Sequence, residues 1–365
     1  MFDPPVPLRY DPSLEKPEKD EAKTQQGLLE TMGKIREKTF ADGGHAIRSV
    51  HAKSHGLLEG ELEVFEDLSQ VLKQGLFARG GRYPVIMRLS TIPGDMLDDS
   101  VSTPRGLAIK VIGVDGERLP GADGTTQDFV LVDGPAFGTP NAKAFLANLK
   151  LVAATTDKLE GVKKVVSAAM RGVESAIEAA GGKSATALAL GGQPETHILG
   201  ESFYSQTPIL YGDYMAKIGV FPVSPELKAL TDAALKFAGK PNAIREAVVD
   251  FFRQHGGEWE VRVQLAIDHE HTPIEDAAKV WPEDRSPYLT VAKIKVAPQT
   301  AWSEARSTAV DDGLSFSPWH GLAAHRPLGS IMRARKAAYE QSARFRTDHN
   351  AVKVHEPRSF QSLPD

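Results

Sequence analysis

The stretch Arg48-Ser-Val-His-Ala-Lys-Ser-His-Gly56 is followed by Leu58-Glu-Gly-Glu-Leu-Glu-Val64. Apolar and acidic residues alternate in the second part, which predicts a β-strand with one buried face. His51 then lies where this strand begins, and a side chain held by a strand is positioned more rigidly than one on a loop. The stretch therefore predicts a sheet that carries a candidate general base at one strand end.

Further strand candidates are spread along the chain. They cover residues 57–66, 83–91, 105–114, 127–133, 258–268 and 288–296. A long insertion at about 139–255 separates the fourth from the fifth, with helical patterns at 141–153, 160–180, 225–238 and 242–254. Blocks of strands with helices segregated between them predict an α+β fold around an antiparallel β-barrel, because regular βαβ alternation is missing.

The chain is expected to form one domain preceded by an arm. Residues 1–25 are rich in Pro, Lys, Glu and Asp and predict an extended segment. A first helix is predicted from Gly27 to Lys38, and we assign residues 26–365 to a single domain.

Residues 327–346, near the other end of the chain, are rich in good helix formers and predict a helix. Positions three and four apart lie side by side on a helix, so the segment carries one stripe of side chains. The stripe consists of Arg335, Tyr339, Ser342 and Arg346. A guanidinium one turn from a phenol stabilises the phenolate, which is a hard anionic ligand for ferric heme iron. Taken alone, the stripe also fits an ordinary amphipathic helix.

The composition argues against several classes of protein. Without cysteine, the chain has no disulfide, iron–sulfur cluster, thiolate-bound heme or cysteine-based zinc site. Lys and Arg total 43 against 48 acidic residues, so no basic field indicates nucleic acid or an anionic membrane. No apolar run reaches the ~18 residues of a membrane span, and the first residues do not resemble a secretory signal. We therefore expect a cytoplasmic protein.

Ordered segments of the chain resemble the heme catalases. They are the stretch from Arg48 to Gly56, Arg88-Leu-Ser-Thr91, Thr103-Pro-Arg-Gly-Leu-Ala-Ile-Lys110, Gln127-Asp-Phe-Val-Leu-Val-Asp133, Ala278-Lys-Val-Trp-Pro282 with Tyr288–Val296, and Arg335–Tyr339. Matches recur in one order from about residue 45 to 346, which is far more specific than any single match. Two further stretches, Glu201–Tyr214 and Phe316–Gly329, look like signatures of the short catalase-related proteins.

The resemblance implies a catalase-like barrel with heme b buried beside it and Tyr339 as the iron ligand. It makes His51 the distal base, with Ser90 as its hydrogen-bonding partner. Arg335 would moderate the charge of the tyrosinate. The other residues implied at the heme are Arg48, Arg88 and Arg346 facing its carboxylates, and Val50 and Phe137 on the distal side.

The implied activity is that of a heme peroxidase or catalase acting on hydrogen peroxide or organic hydroperoxides. His51 would move a proton from the inner to the outer oxygen of bound peroxide, leaving an oxidised, ferryl heme. A second peroxide or a small organic reductant would return the iron to rest. Family analogy also implies a homodimer.

One position departs from the catalase pattern. Where catalases carry an asparagine that helps to hold peroxide, an ungapped match places Thr125 in Gly121-Ala-Asp-Gly-Thr-Thr-Gln-Asp128. A hydroxyl has one donor where an amide has two, so peroxide disproportionation is expected to weaken in favour of peroxidase turnover. A shift of the match would substitute Thr126 or Gln127.

Two other functions fit the same resemblance. Allene oxide synthases, which rearrange fatty-acid hydroperoxides, resemble this fold but carry threonine before the distal histidine. This chain has Val50 there, as catalases do. A non-catalytic heme carrier or sensor would need Tyr339 but would have no use for the pair His51 and Ser90.

Overall fold

The computed structural model describes residues 5–153, 192–237 and 239–365. Within these ranges, nine strands form one antiparallel sheet. The strands are β1 Ser54–Val64, β2 Gly81–Thr91, β3 Arg105–Ile112, β4 Thr126–Val132, β5 Phe203–Tyr204, β6 Ile209–Tyr211, β7 Tyr214–Pro222, β8 Gly257–Leu265 and β9 Leu289–Val296.

The sheet closes on itself. Its strand order is β5-β4-β3-β2-β1-β9-β8-β7-β6, and β5 also pairs with β7. Tyr204 of β5 pairs with Val132 on one side and with Gly219 on the other. Eight strands therefore complete an antiparallel barrel, and β6 adds to β7 outside that ring. The predicted α+β fold with an antiparallel barrel is confirmed.

All six predicted strands form, with ends that differ from the predicted ends by at most three residues. The short strands β5 and β6 and the longer β7 were not predicted. These three strands belong to the part of the chain that we had assigned to a helical insertion, and β5 is the strand that closes the barrel.

Helices lie before, between and after the strands. Within the described ranges they are α1 Glu21–Gly43, α2 Ala142–Ala153, α3 Pro225–Lys228, α4 Ala243–Phe252, α5 Glu304–Ser307 and α6 Ser330–His349, and a π-helical turn at Thr308–Asp312 follows α5. Helix α1 begins six residues earlier than predicted, and α3 ends ten residues earlier. The helix predicted at 160–180 lies outside the described residues. Of the described helices, none combines the length and apolar character needed to cross a bilayer.

The two faces of the barrel wall differ in composition. Successive residues of a strand point to opposite faces. On β2, Val85, Met87 and Leu89 belong to the main hydrophobic core, whereas Arg88 and Ser90 alternate with them and point outward. A separate apolar cluster joins the outer side chain of Ile86 to Phe316. The outward-pointing side chains of β2 and β3 are therefore covered by the segment that leads to α6.

Candidate active site

His51 lies three residues before β1 and is held in an unusual backbone conformation. Its φ is 54°, a region that residues other than glycine adopt rarely and that is often found at functional sites. Its N–H donates to the carbonyl of Ile92 at 2.7 Å. The ring atom Nδ1 lies 3.1 Å from Oγ of Ser90. This contact orients the imidazole and leaves Nε2 as the nitrogen that can face a substrate.

Gly106 of β3 lies directly against this imidazole. A β-carbon at residue 106 would lie 2.5 Å from two atoms of the His51 ring and 3.2 Å from Oγ of Ser90. Real β-carbons do not approach other atoms as closely as 2.5 Å, so the ring position requires glycine. Gly106 lies in a segment that resembles the catalases, but nothing in the sequence alone indicated that it contacts His51.

The surroundings of His51 disfavour its protonated form. Burial lowers the pKa of His51 to about 3, assisted by the positive charges of Arg88, Arg335 and Arg48. The ring is therefore neutral at every ordinary working pH. A neutral imidazole is the form that accepts a proton from a substrate.

Arg48 and Arg88 converge on Asp311. Nε of Arg88 lies 2.6 Å from Oδ1 of Asp311, and Nη1 of Arg48 lies 3.2 Å from the same atom. Hydroxyl groups of Ser54 and Ser307 donate to Oδ2 at 2.6 and 2.8 Å. Burial would raise the pKa of the Asp311 carboxyl, but the two guanidiniums outweigh it and hold the pKa at about 2.

The backbone around Asp311 also takes part in these contacts. Asp311 belongs to the π-helical turn, a wide turn often found at functional sites. Arg48 also donates to the carbonyls of Val310, Asp311 and Leu314, at 2.7 to 3.1 Å. Sequence reasoning missed Asp311 because its partners are more than 200 residues away along the chain.

Arg346 adds a third guanidinium to this region. Its Nη2 donates to the carbonyl of Leu314 at 3.0 Å, while its buried Nε has no hydrogen-bond partner among the described residues. Burial, with the charge of Arg88, lowers the pKa of Arg346 to about 10.

Asp311 bonds to Arg48 and Arg88, and the charge of Asp312 also acts on Arg48 and Arg346. Two carboxylates therefore face three guanidiniums, which leaves a surplus of positive charge. An anionic ligand would relieve that surplus.

The stripe on α6 forms as predicted from helical periodicity. Nη2 of Arg335 lies 2.5 Å from the phenolic oxygen of Tyr339, and Nη1 lies 3.6 Å from the sulfur of Met332. The phenolic oxygen therefore has a positively charged donor beside it. Arg335 also lies close enough to His51 for its charge to lower the imidazole pKa.

Helix α6 is fixed to the amino-terminal part of the chain through Arg333. Its guanidinium bonds to the carboxylates of Glu15, Glu21 and Glu275 at 2.8 to 3.1 Å. Burial opposes these contacts, but the carboxylates outweigh it and raise the pKa of Arg333. Because Arg333 is two residues from Arg335, this network sets the position of the tyrosine-bearing helix.

Val50 and Phe137 form an apolar wall. Both side chains pack against the cluster that contains the buried Ala334 and Ala338 of α6. The ring of Phe137 also meets that of Phe145 edge to face, with centroids 5.1 Å apart. The predicted distal residues Val50 and Phe137 thus contact the same cluster as the helix that carries Tyr339.

Thr125 is not brought to His51. Thr125 directly precedes β4. The first residue of β4, Thr126, pairs with Ile112, and Ile112 lies six residues along β3 from Gly106. Six residues of strand span about 20 Å, beyond the reach of a threonine side chain. The Thr125 hydroxyl instead donates to the carbonyl of Arg358 at 3.1 Å. The expectation that Thr125 holds peroxide beside His51 is therefore corrected by the register of the barrel.

The residues that are brought together fit a heme. The unpartnered Nε of Arg346 and the surplus of positive charge suit a porphyrin's carboxylates. The tyrosine beside Arg335 could supply an oxygen ligand of the kind found in catalases.

Comparisons with known proteins agree with this geometry. A family model described as Catalase matches residues 34–146. Linolenate 9R-lipoxygenase from Nostoc sp. (strain PCC 7120 / SAG 25.82 / UTEX 2576) is 35% identical over 107 residues, which cover 29% of this chain and 13% of that protein. The match thus spans a small part of that relative.

Solved catalases share the fold of this chain. Catalase A from Saccharomyces cerevisiae matches with a TM-score of 0.60 and 17% identity over 99% of this chain and 72% of its own. A fungal catalase matches with a TM-score of 0.58 and 17% identity over 87% of this chain and 65% of its own. A bacterial catalase matches with a TM-score of 0.57 and 17% identity over 99% of this chain and 69% of its own. The family-model match over residues 34–146 and the shared barrel fold together support a catalase-related protein.

Proposed function

We propose that this protein binds heme b through the phenolate of Tyr339 and reduces hydrogen peroxide or organic hydroperoxides as a peroxidase or catalase. The observation that carries the proposal is the position of Arg335. Its guanidinium lies 2.5 Å from the Tyr339 oxygen, and its charge also lowers the pKa of His51. The candidate iron ligand and the candidate base therefore border the same space.

Each residue has a defined part in the proposed reaction. Bound heme supplies the redox-active iron that the reduction of a peroxide requires. Arg48, Arg88 and Arg346 hold its carboxylates. Neutral His51 accepts the proton of the inner peroxide oxygen at Nε2 and returns it to the outer oxygen, which leaves as water, or as an alcohol when that oxygen carries an organic group. Ser90 holds the imidazole through Nδ1 during both transfers.

The distal side favours an enzyme over a heme carrier. His51 adopts a positive φ, which costs on the order of 1–3 kcal/mol, and its ring position requires glycine at residue 106. A carrier needs a ligand for iron but gains nothing from a strained histidine oriented by a serine. Strain of this kind is typical of a residue that takes part in chemistry.

A fatty-acid hydroperoxide is the second class of substrate to consider. The name of the Nostoc relative, linolenate 9R-lipoxygenase, describes a protein that acts on linolenate. Val50 stands where allene oxide synthases carry threonine, so we propose reduction of such a hydroperoxide rather than rearrangement. Product analysis decides between them, because reduction yields an alcohol and rearrangement yields an epoxide. The organic reductant, the homodimer and the cytoplasmic location stay predictions.

Replacement of His51 tests the proposed reaction. Protein loaded with heme is assayed for peroxide consumption, with and without an organic donor. His51→Gln should keep its heme absorbance and lose about 100-fold or more in rate, the range expected for removal of an acid–base group. Equal rates for the variant and the parent protein would reject His51 as the base. A wild-type protein that binds heme but consumes no peroxide would support a carrier instead.

A further inference from the structure

A cavity of about 320 Å³ lies beside Tyr339. The ring of Tyr339 forms part of its lining, but the cavity includes neither His51 nor Ser90, nor any of the three arginines assigned to the heme carboxylates. Its other walls come from the β3–β4 connection, residues 315–320, α6 and the segment 354–356. A volume of this size is typical of sites for small organic molecules.

Arg118 of the β3–β4 connection lines this cavity. Its Nη2 donates to the carbonyl of Thr126. Its Nε and Nη1 are buried and have no hydrogen-bond partner among the described residues. A buried donor without an acceptor is costly, and a contact between a guanidinium N–H and a carboxylate oxygen is charge-assisted.

The acidic groups near Arg118 are already engaged elsewhere. Nζ of Lys110 lies 2.8 and 2.9 Å from the two carboxylate oxygens of Asp128 and also contacts Glu356. Burial would lower the pKa of His320, but Asp128 and Glu356 outweigh it and raise the pKa to about 9. Lys110, protonated His320 and Arg118 thus face two carboxylates. The other charged residues of the lining are two positive and two negative: Lys336, Arg344, Asp123 and Glu340. These balance one another, so one positive charge remains in surplus.

This charge balance favours an anion over a metal ion. Asp128, His320 and Glu356 offer ligand atoms within 4.8 Å of one another. The ammonium of Lys110 already takes the position of a cation between the two carboxylates. A further cation would meet repulsion from Lys110 and Arg118, whereas a monoanion would neutralise the surplus.

Aromatic side chains indicate the rest of the ligand. Trp319 and Tyr339 both line the cavity. Nε1 of Trp319 donates to the carbonyl of Met332 at 2.8 Å, so its polar group is satisfied and its apolar ring remains for packing. Aromatic rings pack well on such surfaces.

We propose that this cavity binds a small aromatic monocarboxylate, with its carboxylate on Arg118 and its ring against Trp319 and Tyr339. Resting on the proposed function, the inference identifies this compound as the organic reductant, a phenol that bears a carboxylate. Two such phenols each lose one electron and one proton: ROOH + 2 ArOH → ROH + H₂O + 2 ArO•. The O–O bond breaks, and the two protons and two electrons from the phenols yield the alcohol and water. Contact with Tyr339 places the donor against the candidate iron ligand.

Calorimetric titration of heme-loaded protein with 4-hydroxybenzoate tests this site. Arg118→Gln should weaken binding at least tenfold and raise the KM for 4-hydroxybenzoate, while the KM for uncharged phenol stays unchanged. Ala343→Leu should block binding by filling the cavity without changing its charge, and it keeps the test valid if Arg118→Gln does not fold. Arg253→Gln, at an exposed arginine far along the chain, is the matched control.

Two results would overturn the inference. The first is equal affinity in the parent protein, Arg118→Gln and Ala343→Leu. The second is a probe that binds the heme-free protein and is displaced by heme, because the cavity would then belong to the heme pocket itself. Failure of the proposed function is recognised separately: the protein would take up no heme, whatever the probe does.

Discussion

The imidazole of His51 lies against Gly106 so closely that a β-carbon at residue 106 would come within 2.5 Å of the ring. Gly106→Ala should therefore displace His51 from Ser90 while leaving β3 intact. We expect peroxide turnover to fall by about 100-fold, as for loss of a positioned acid–base group, with heme absorbance retained. Steady-state rates and a thermal unfolding curve check this.

Gly43→Ala provides the control for that substitution. A β-carbon at Gly43 meets nothing within 4 Å, so this variant should behave like the parent protein. Normal turnover in Gly106→Ala would show that the ring position is not needed for the reaction.

Asp311 should be more important for stability than an exposed carboxylate. Asp311→Asn removes the negative charge that Arg48 and Arg88 share. Breaking a buried ion pair from one side costs about 3–5 kcal/mol, because the remaining charges stay buried without compensation. Urea unfolding of the heme-free protein measures the change. Asp250→Asn, in an exposed pair with Arg253, should change the unfolding free energy little, and equal effects of the two variants would contradict this account.

Arg346 should have opposite effects on heme affinity and on the stability of the heme-free protein. Burial and the charge of Arg88 lower its pKa to about 10, which means that the charged form is disfavoured in the heme-free protein. Arg346→Gln should therefore leave the heme-free protein at least as stable as the parent, while heme binds roughly tenfold more weakly for the loss of one charge-assisted contact. Heme titration followed by absorbance, together with thermal unfolding, measures both. Unchanged heme affinity would remove Arg346 from the site.

Buried histidines should make the protein sensitive to acid. Burial lowers the pKa of His51 to about 3, of His197 and His325 to about 4, and of His55 well below its usual value. The unfolded chain binds protons at these groups below pH 6.5 and the folded chain does not. Each histidine therefore costs about 1.4 kcal/mol of stability per pH unit as the pH falls from 6.5 toward its folded pKa.

Two groups with raised pKa values lose their stabilising contribution as the pH rises. Burial raises the pKa of Asp133 to about 7, so the free energy of unfolding falls by this contribution as the pH rises from about 4 to 7. This change is opposite in sign to the gain from one buried histidine. The raised pKa of His320, about 9, adds stability that is lost between pH 6.5 and 9. Burial lowers the pKa of Lys217 to about 7, which adds stability as the pH rises above 7 and offsets the loss at His320. Urea unfolding at several pH values should therefore show a free energy of unfolding that rises from pH 5 to about 6.5 and changes little from there to pH 9. Equal unfolding free energies at pH 5 and pH 7 would contradict these shifts.

Strand alternation and helical periodicity predicted the barrel and α6, because both patterns report which face of an element is buried. The strands β5 and β6 have two and three residues, too few for any period to be visible. The pairing of β5 is decided by closure of the barrel, whereas β6 pairs with β7 in a tight hairpin. The predicted helix from Pro225 ends at Lys228, and the chain turns there into the left-handed conformation of Asp232.

The candidate site was predicted in part. Helical spacing was enough to predict that Arg335 and Tyr339 lie side by side. The resemblance to catalases predicted that Ser90 is the hydrogen-bonding partner of His51. Asp311 could not be predicted, because an aspartate in a loop is usually solvated and its two arginines are distant in sequence. The position of Thr125 depended on strand register, which a motif match does not contain.

The most direct test of the central claim is the absorption spectrum of the purified protein beside that of Tyr339→Phe. The account predicts a ferric heme spectrum with tyrosinate ligation in the parent protein. In Tyr339→Phe, which removes only the phenolic oxygen, that spectrum should be lost or change to that of another axial ligand. A parent protein without a heme band after reconstitution, or identical spectra for the two proteins, would contradict the claim that Tyr339 holds heme.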